Sequence, residues 1–359
     1  MAKILRIVGA RPQIMQVPTV REKLIKLGHH EILLHTGQHF DQNMSGAHLT
    51  SLQLPTPDIN LGIGSGLHGS QTGKMLIEIE KIMLEIKPDA VVVDGDTNST
   101  LAGALAASKL HIPLFHIEAG PRSGYRKQPE EVNRTLTDHC ASINFSPTEH
   151  AQTTLTKEGL GQKSFLVGDV LLDCLLSYLP SVDDKIYEQY DLESKNYAVL
   201  TLHRADNTTH EGGIERLFTI LEGVSHLDIP VIFPVHPRTL PYIKKYQEQK
   251  SLGAIRLVEP LDYLSIIGLL KHAAICITDS GGLQRESLWL GIPTVVTLEH
   301  NVWQEFTKNK WIYEPPFQVD AIAECRSHAP QIDPNIVKDY MGNGNASEKI
   351  AKIIDEKLS

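Results

Sequence analysis

Residues 90–148 read AVVVDGDTNSTLAGALAASKLHIPLFHIEAGPRSGYRKQPEEVNRTLTDHCASINFSPT, a succession of strand, helix, strand, helix and strand. The apolar runs Ala90–Val93 and Pro113–Ile117 each lead into a carboxylate, Asp96 after Gly95 and Glu118 directly, and Glu131 lies at the start of a helix opened by Pro129. In an open parallel sheet the carboxyl ends of the strands line the ligand crevice, so the spacing predicts three acids on one edge. Carboxyls in distinct environments around one centre suit removal and return of a proton at carbon. A plainer role stands beside that one. Glu130 and Glu131 complement the positive end of any helix, and Asp96 or Thr97 caps a helix over Ser99–Lys109.

Outward from this stretch, βα alternation continues in both directions without repeats or low-complexity segments. Strands are predicted at Ile4–Val8, Glu31–Thr36, Ser142–Ser146 and Ser164–Val167, with helices at Val20–Leu27 and Gly73–Ile86. The helix Val170–Tyr178 leads into a polar connector, Pro180–Lys195. A second series follows at Tyr197–Leu202, Pro230–Val235, Ala254–Val258, Ala274–Thr278 and Thr294–Thr297. At 359 residues the chain is long enough for two cores. The expected fold class is α/β, two Rossmann-like doubly wound domains facing each other across a cleft, by analogy with nucleotide-sugar enzymes of the GT-B architecture. Boundaries are expected at residues 1–170 and 171–345, with the last helix, Ala346–Lys357, crossing back onto the first domain.

A net charge of −9 with no basic run argues against a nucleic-acid partner. Met1 leads straight into the first strand without a leader, and no run of apolar residues is long enough to span a membrane, so the cytoplasm is the expected compartment. Cys140, Cys174, Cys276 and Cys325 are widely spaced and form no metal pattern, which predicts buried thiols in a reducing compartment.

Anion-binding signals gather in the second half. Strand Ala274–Thr278 is followed by Asp279-Ser280-Gly281-Gly282 and a helix over Leu283–Leu290, an arrangement that presents unpaired amides and the positive end of a dipole. Ser280 adds a hydroxyl, and Glu286, one turn in, is placed to accept bonds from ribose hydroxyls. His203-Arg204 ends the strand Tyr197–Leu202, and His236-Pro237-Arg238 ends the next, so basic residues surround a diphosphate at neighbouring sheet edges. In the first half, Gly9-Ala10-Arg11-Pro12 supplies another cation, and Gly37-Gln38-His39 ends the second strand.

With these elements in order along nearly the whole chain, together with Arg122-Ser123, Asn133-Arg134 and Pro147-Thr148, the sequence resembles the non-hydrolysing UDP-N-acetylglucosamine 2-epimerases. The resemblance implies interconversion of UDP-GlcNAc and UDP-ManNAc. UDP would be eliminated to give a 2-acetamidoglucal and then added back, with a proton delivered to the opposite face of C2, using neither nicotinamide nor metal. It implies catalytic roles for Asp96, Glu118, Glu131 and His203. Phosphate contacts fall to Arg11, Arg204, Ser280, Gly281 and Gly282, with His236 beside them, and the ribose contact to Glu286. A homodimer is implied as well.

Three positions depart from the family pattern: Gln16 stands where a lysine is usual, Leu298 where an arginine is and Val302 where a glutamate is. Trp303, with Gly9–Gln13, His39–Ser45 and Asp96–Thr100, is closer to the branch acting on UDP-2,3-diacetamido-2,3-dideoxyglucuronic acid. Met44–Ala47 lacks the glutamines that bind a second, activating UDP-GlcNAc, so that activation is expected to be absent. A hydrolysing 2-epimerase, a GT-B glycosyltransferase and a nucleotide-sugar binding protein without catalysis are the competing functions.

Overall fold

The structure is a computed structural model that describes residues 1–38, 54–204, 207 and 212–359, the side chain of Arg11 excepted. Two units are resolved by their internal contacts, Met1–Ser177 with Lys338–Ser359, and Tyr178–Val337. Each is built on a wholly parallel sheet.

In the first unit the strands β1 (Lys3–Val8), β2 (His30–His35), β3 (Ile59–Asn60), β4 (Ala90–Asp94), β5 (Leu114–Ile117), β6 (Ile143–Ser146) and β7 (Ser164–Leu166) lie in the order β3-β2-β1-β4-β5-β6-β7. In the second, β8 (Ala198–Thr201), β9 (Val231–Pro234), β10 (Ile255–Val258), β11 (Ile275–Thr278) and β12 (Thr294–Val296) lie in the order β10-β9-β8-β11-β12. The winding reverses between β1 and β4 in one sheet and between β8 and β11 in the other. Such switch points are where doubly wound sheets open a crevice at the strands' carboxyl ends.

Both faces of each sheet are covered. In the first unit Leu5, Ile7, Val91 and Val93 pack under Met75, Ile79 and Met83 of the helix His68–Ile86, while Val8 and Leu33 meet Ile14 and Val17 on another face. Close approach is built into the helix Asn98–Lys109, where a Cβ on Gly103 would lie 2.9 Å from Cδ1 of Ile7. Along β8 the side chains alternate. Ala198 and Leu200 join the cluster of Leu217, Ile220 and Leu221, and Val199 joins Leu269, Leu270 and Cys276 on the other side.

The first helix departs from its expected start. It runs Arg11–Lys26 rather than from Val20, with Pro12 in its first turn and Pro18 inside it. Proline is tolerated in a first turn but removes a bond in a helix interior, which is why the pair reads as a break. The last helix, Ala346–Leu358, lies against this one, its free amides at Ala346 and Ser347 accepted by the Asp173 carboxylate at 3.3 and 2.7 Å. Cys174, Cys276 and Cys325 are buried, whereas Cys140 is half-exposed, and all four are unpaired. No helix among the described residues is long and apolar enough to cross a membrane.

Beneath the first switch point, Arg6 is fully buried and donates to Asp94 through Nε (3.0 Å) and Nη2 (2.6 Å), with Glu31 3.8 Å from its Nη1. Burial pushes the Glu31 carboxyl up to about 7, with Asp94 and Asp58 adding to the shift and Arg6 and Arg21 offsetting part of it. Because the folded-state value is raised, the stability this group contributes is complete below the ordinary carboxylate range and is lost as pH rises through about 7. Glu31→Gln, which holds the group neutral, is expected to gain about 1–3 kcal/mol on the wild type between pH 5 and pH 8. Urea denaturation at the two pH values measures this, and an equal effect at both would show that Arg6 and not burial governs Glu31.

Candidate active site

At the first switch point three loops interlock through two buried glutamines. Gln13 accepts the amides of Gly9 and Ala10 (2.8 and 3.0 Å) and donates to the Asp94 carbonyl and Thr100 hydroxyl. Gln38 accepts the amide and hydroxyl of Ser99 at 3.0 and 2.6 Å. A Cβ on Gly9 would fall 1.8 Å from the Ser99 hydroxyl oxygen, so only glycine allows the end of β1 to approach the helix Asn98–Lys109. Thr97, not Asp96, caps that helix, accepting the Thr100 amide. The Asp96 carboxylate is left about a quarter exposed.

Arg134, buried on the helix Pro129–Cys140, joins two of the expected acids. Its Nη2 donates to Asp96 at 2.5 Å and its Nη1 to Glu131 at 3.2 Å. Burial alone would lower the guanidinium's affinity for its proton, but Asp96, Glu131 and Glu130 raise it above its ordinary value, so Arg134 stays charged. The two acids sit differently. Glu131 is almost enclosed and also accepts the Ser123 amide and hydroxyl and the Gly124 amide, which fastens the loop after β5. Asn133 donates to the Asp96 carbonyl at 2.9 Å and to Asn98 at 3.1 Å, fixing the backbone from which Asp96 projects.

Glu118 directly follows β5, half-buried, with φ +66°. A left-handed glutamate stores roughly 1–3 kcal/mol and persists only where its surroundings over-determine it. Here the Ala119 amide donates to Phe145, and the next amide, Gly120, donates to the fully buried Asp138 at 3.2 Å. Asp138 also takes the His116 ring at 2.7 Å and Arg122 at 2.6 Å. The second nitrogen of His116 reaches the Gly95 carbonyl at 2.7 Å. One carboxylate thus ties the loop of Glu118 to the loop of Asp96. Burial would raise the Asp138 carboxyl, but the His116 bond and charge and the Arg122 guanidinium hold it below the usual carboxylate range.

The second switch point carries a parallel arrangement around Asp279, fully buried after β11. It accepts the amides of His203 and Arg204 (2.9 Å each) and the Asn207 side chain (3.0 Å), and lies 3.2 Å from Nδ1 of His203. Burial would raise this carboxyl too, and His203 with these donors lowers it. With Nδ1–H donated to Asp279, Nε2 of the half-exposed His203 is the nitrogen available to a ligand. The His236 ring lies 6.0 Å away, its Nδ1 accepting the Arg238 amide.

Ser280 caps the helix Gly281–Trp289 by accepting the Leu283 amide at 3.2 Å, which leaves the amides of Gly281 and Gly282 without partners among the described residues. Nη2 of Arg204 lies 3.4 Å from where a Cβ on Gly281 would be. Glu286, also buried, accepts the Tyr263 hydroxyl at 2.8 Å. Arg11 begins the first helix. His39 and Met44–Ala47 lie outside the described residues. Among the described residues no cluster of His, Cys, Asp and Glu is placed to hold a metal.

In the sequence Arg134 and Asp279 stand out only as members of motifs, and Asp138 does not stand out at all. A buried acid has no local signature in a helix that already carries several polar residues.

Two doubly wound units, with a helix terminus of unpartnered amides among the described residues in one and a cluster of acids in the other, are the architecture of an α/β enzyme of the nucleotide-sugar type. The sequence model of the UDP-N-acetylglucosamine 2-epimerase family matches residues 25–355. A Methanococcus maripaludis protein described as a UDP-N-acetylglucosamine 2-epimerase homolog is 42% identical over 98% of this chain and 99% of its own. The UDP-2,3-diacetamido-2,3-dideoxy-D-glucuronate 2-epimerase of Pseudomonas aeruginosa is 43% identical over 84% of this chain and 85% of its own. The crystal structure of Methanocaldococcus jannaschii UDP-GlcNAc 2-epimerase in complex with UDP-GlcNAc and UDP superposes with a TM-score of 0.89 at 38% identity, covering 99% of both chains. The chain belongs to the UDP-N-acetylglucosamine 2-epimerase family.

Removing Asp138 would leave His116, Arg122 and the Gly120 amide without their common acceptor. Asp138→Ala is therefore expected to cost about 3–5 kcal/mol in chemical denaturation, against about 0.5 kcal/mol or less for the exposed Lys127→Ala.

Proposed function

We propose that this chain is a non-hydrolysing UDP-sugar 2-epimerase that inverts C2 of a UDP-N-acetylhexosamine. The observation that carries the reading is the presence in one chain of open amides at Gly281 and Gly282, flanked by Arg204 and His203, and, in the other unit, of acids of unlike environment around Arg134. The C2 hydrogen of such a sugar is not next to a carbonyl and is not acidic by itself. Departure of UDP places cationic character at C1, which makes the C2 proton labile. Its loss gives the 2-acetamidoglucal, and UDP adds back at C1 as a proton reaches the other face of C2.

In this reading the Gly281 and Gly282 amides, Ser280, Arg204, Arg11 and His236 stabilise the diphosphate, and Glu286 accepts from ribose. His203 is oriented by Asp279 so that Nε2 protonates the departing diphosphate and recovers the proton on its return. Asp96 and Glu118 are the proton carriers at C2. Glu131, saturated with donors, works with Arg134 to hold Asp96 in place. The acetamido-sugar class is supported by the M. jannaschii complex with UDP-GlcNAc and UDP, and a 2,3-diacetamidoglucuronate by the P. aeruginosa relative. Neither nicotinamide nor metal enters this scheme.

A homodimer and a cytoplasmic location complete the proposal. The family resemblance supports the first, and unpaired Cys140, Cys174, Cys276 and Cys325 support a reducing compartment. Light scattering behind size exclusion reads the dimer directly.

Incubation with each UDP-sugar in D2O, followed by NMR, is expected to place deuterium at C2 with a new manno-configured UDP-sugar and no accumulation of UDP. Free UDP with free sugar would establish hydrolysis instead. Asp96→Asn, Glu118→Gln and His203→Asn are each expected to lower kcat by roughly 10²–10⁴-fold, the range of general acid–base catalysis. A variant that keeps full turnover would remove that residue from the scheme.

A further inference from the structure

The helix Gly281–Trp289 has one more donor at its start than the phosphate-binding scheme uses. Trp303 is 1% exposed, and its Nε1 lies 3.7 Å from the position of a Cβ on Gly281, beside Nη2 of Arg204 at 3.4 Å. Among the described residues this indole N–H has no hydrogen-bond partner. Indoles in a core ordinarily find an acceptor, and the N–H of this otherwise enclosed ring is left open where two free amides and a guanidinium converge.

The ring is held on every side. Phe306 stacks on it at 5.6 Å with an interplanar angle of 10°, and the Arg285 guanidinium lies over it at 4.4 Å, itself tied by Nε to the Gly281 carbonyl at 3.1 Å. The Trp303 amide donates to Asn301, which is bonded in both directions to Gln284 on the same helix. Two turns of structure thus fix the edge of one indole against the helix terminus. A core tryptophan needing only burial would not require its edge to be aimed there.

We infer that Trp303 is a ligand-binding residue, its Nε1–H donating to an oxygen of the diphosphate seated on the Gly281 and Gly282 amides. The inference rests on the reading of that terminus as a UDP site and adds a specific contact to it. An indole N–H is a neutral donor that never titrates, so the contact holds the diphosphate by direction rather than charge, and Arg285, stacked on the ring, raises the acidity of the N–H by withdrawing electron density. It also makes the site selective for nucleotides that carry the diphosphate over the bare nucleoside.

Trp303→Phe keeps the stacking partner and removes the donor. Calorimetric titration of the full chain with UDP and with uridine tests the contact. The variant is expected to bind UDP roughly tenfold more weakly, the loss of one hydrogen bond to a charged acceptor, with uridine affinity unchanged. Unchanged UDP affinity, or an equal loss for UDP and uridine, would overturn the contact. An independent measurement needs no folded variant for comparison: in ¹⁵N-labelled wild type, the Trp303 indole resonance is expected to move downfield and exchange more slowly on adding UDP but not uridine, and an indole indifferent to UDP would overturn the inference. Should wild-type protein bind no UDP at all, the nucleotide reading itself falls, and this contact with it.

Discussion

Each unit depends on one fully buried aspartate that collects a histidine and backbone amides. Asp138 gathers His116, Arg122 and the Gly120 amide, and Asp279 gathers His203, the amides of His203 and Arg204, and Asn207. An ionised carboxylate out of water is costly unless its lone pairs are filled. That cost favours the observed loop geometry, in which each carboxylate is filled by several donors. The described residues that carry the candidate chemistry at these strand ends are therefore tied through their own amides or those beside them, although loops are ordinarily mobile.

Topology places these loops where they are. The chain winds outward from β1 and from β8, then returns to start again at β4 and β11, so that at each reversal neighbouring connections diverge to opposite faces. Gly9 and Asp96 follow the strands at one reversal, and His203 and the Ser280 turn follow those at the other. The glycine at position 9 and the left-handed Glu118 are two answers to the same crowding. One gives up its side chain to let backbones approach, and the other accepts strain so that its side chain is presented.

Much of this was legible in the chain because period and punctuation are local. Parallel strands buried on both faces read as runs such as Ala90–Val93, and Ser280-Gly281-Gly282 announced a helix start that the structure has within two residues. The two-residue β3 has no such run, and Pro12 and Pro18 concealed half of the first helix. What stayed hidden was relational. Nothing near Asp138 in sequence says that His116 lies 22 residues earlier with its ring within 2.7 Å, and nothing near Trp303 says that its edge meets Gly281. The acids were visible as residue types. Their division into an open Asp96 and an enclosed, donor-saturated Glu131 is a property of the fold.

Leu298 shows how such relations alter the meaning of a departure from pattern. Read as an alignment position, leucine for arginine subtracts a cation from the nucleotide edge. In the structure Leu298 is buried just past β12, and an uncompensated guanidinium enclosed there would be strongly disfavoured. Positive charge at this edge comes instead from neighbouring elements. Arg204 stands over the helix terminus, and Arg285 is anchored to the Gly281 carbonyl and spread across Trp303. The loop that carries Leu298 also carries Trp303, and that tryptophan is what Arg285 stacks on. The helix terminus thus has guanidinium charge from Arg204 and Arg285 beside it while position 298 is apolar, and the aromatic face on the same loop is what gives Arg285 a surface to lie on.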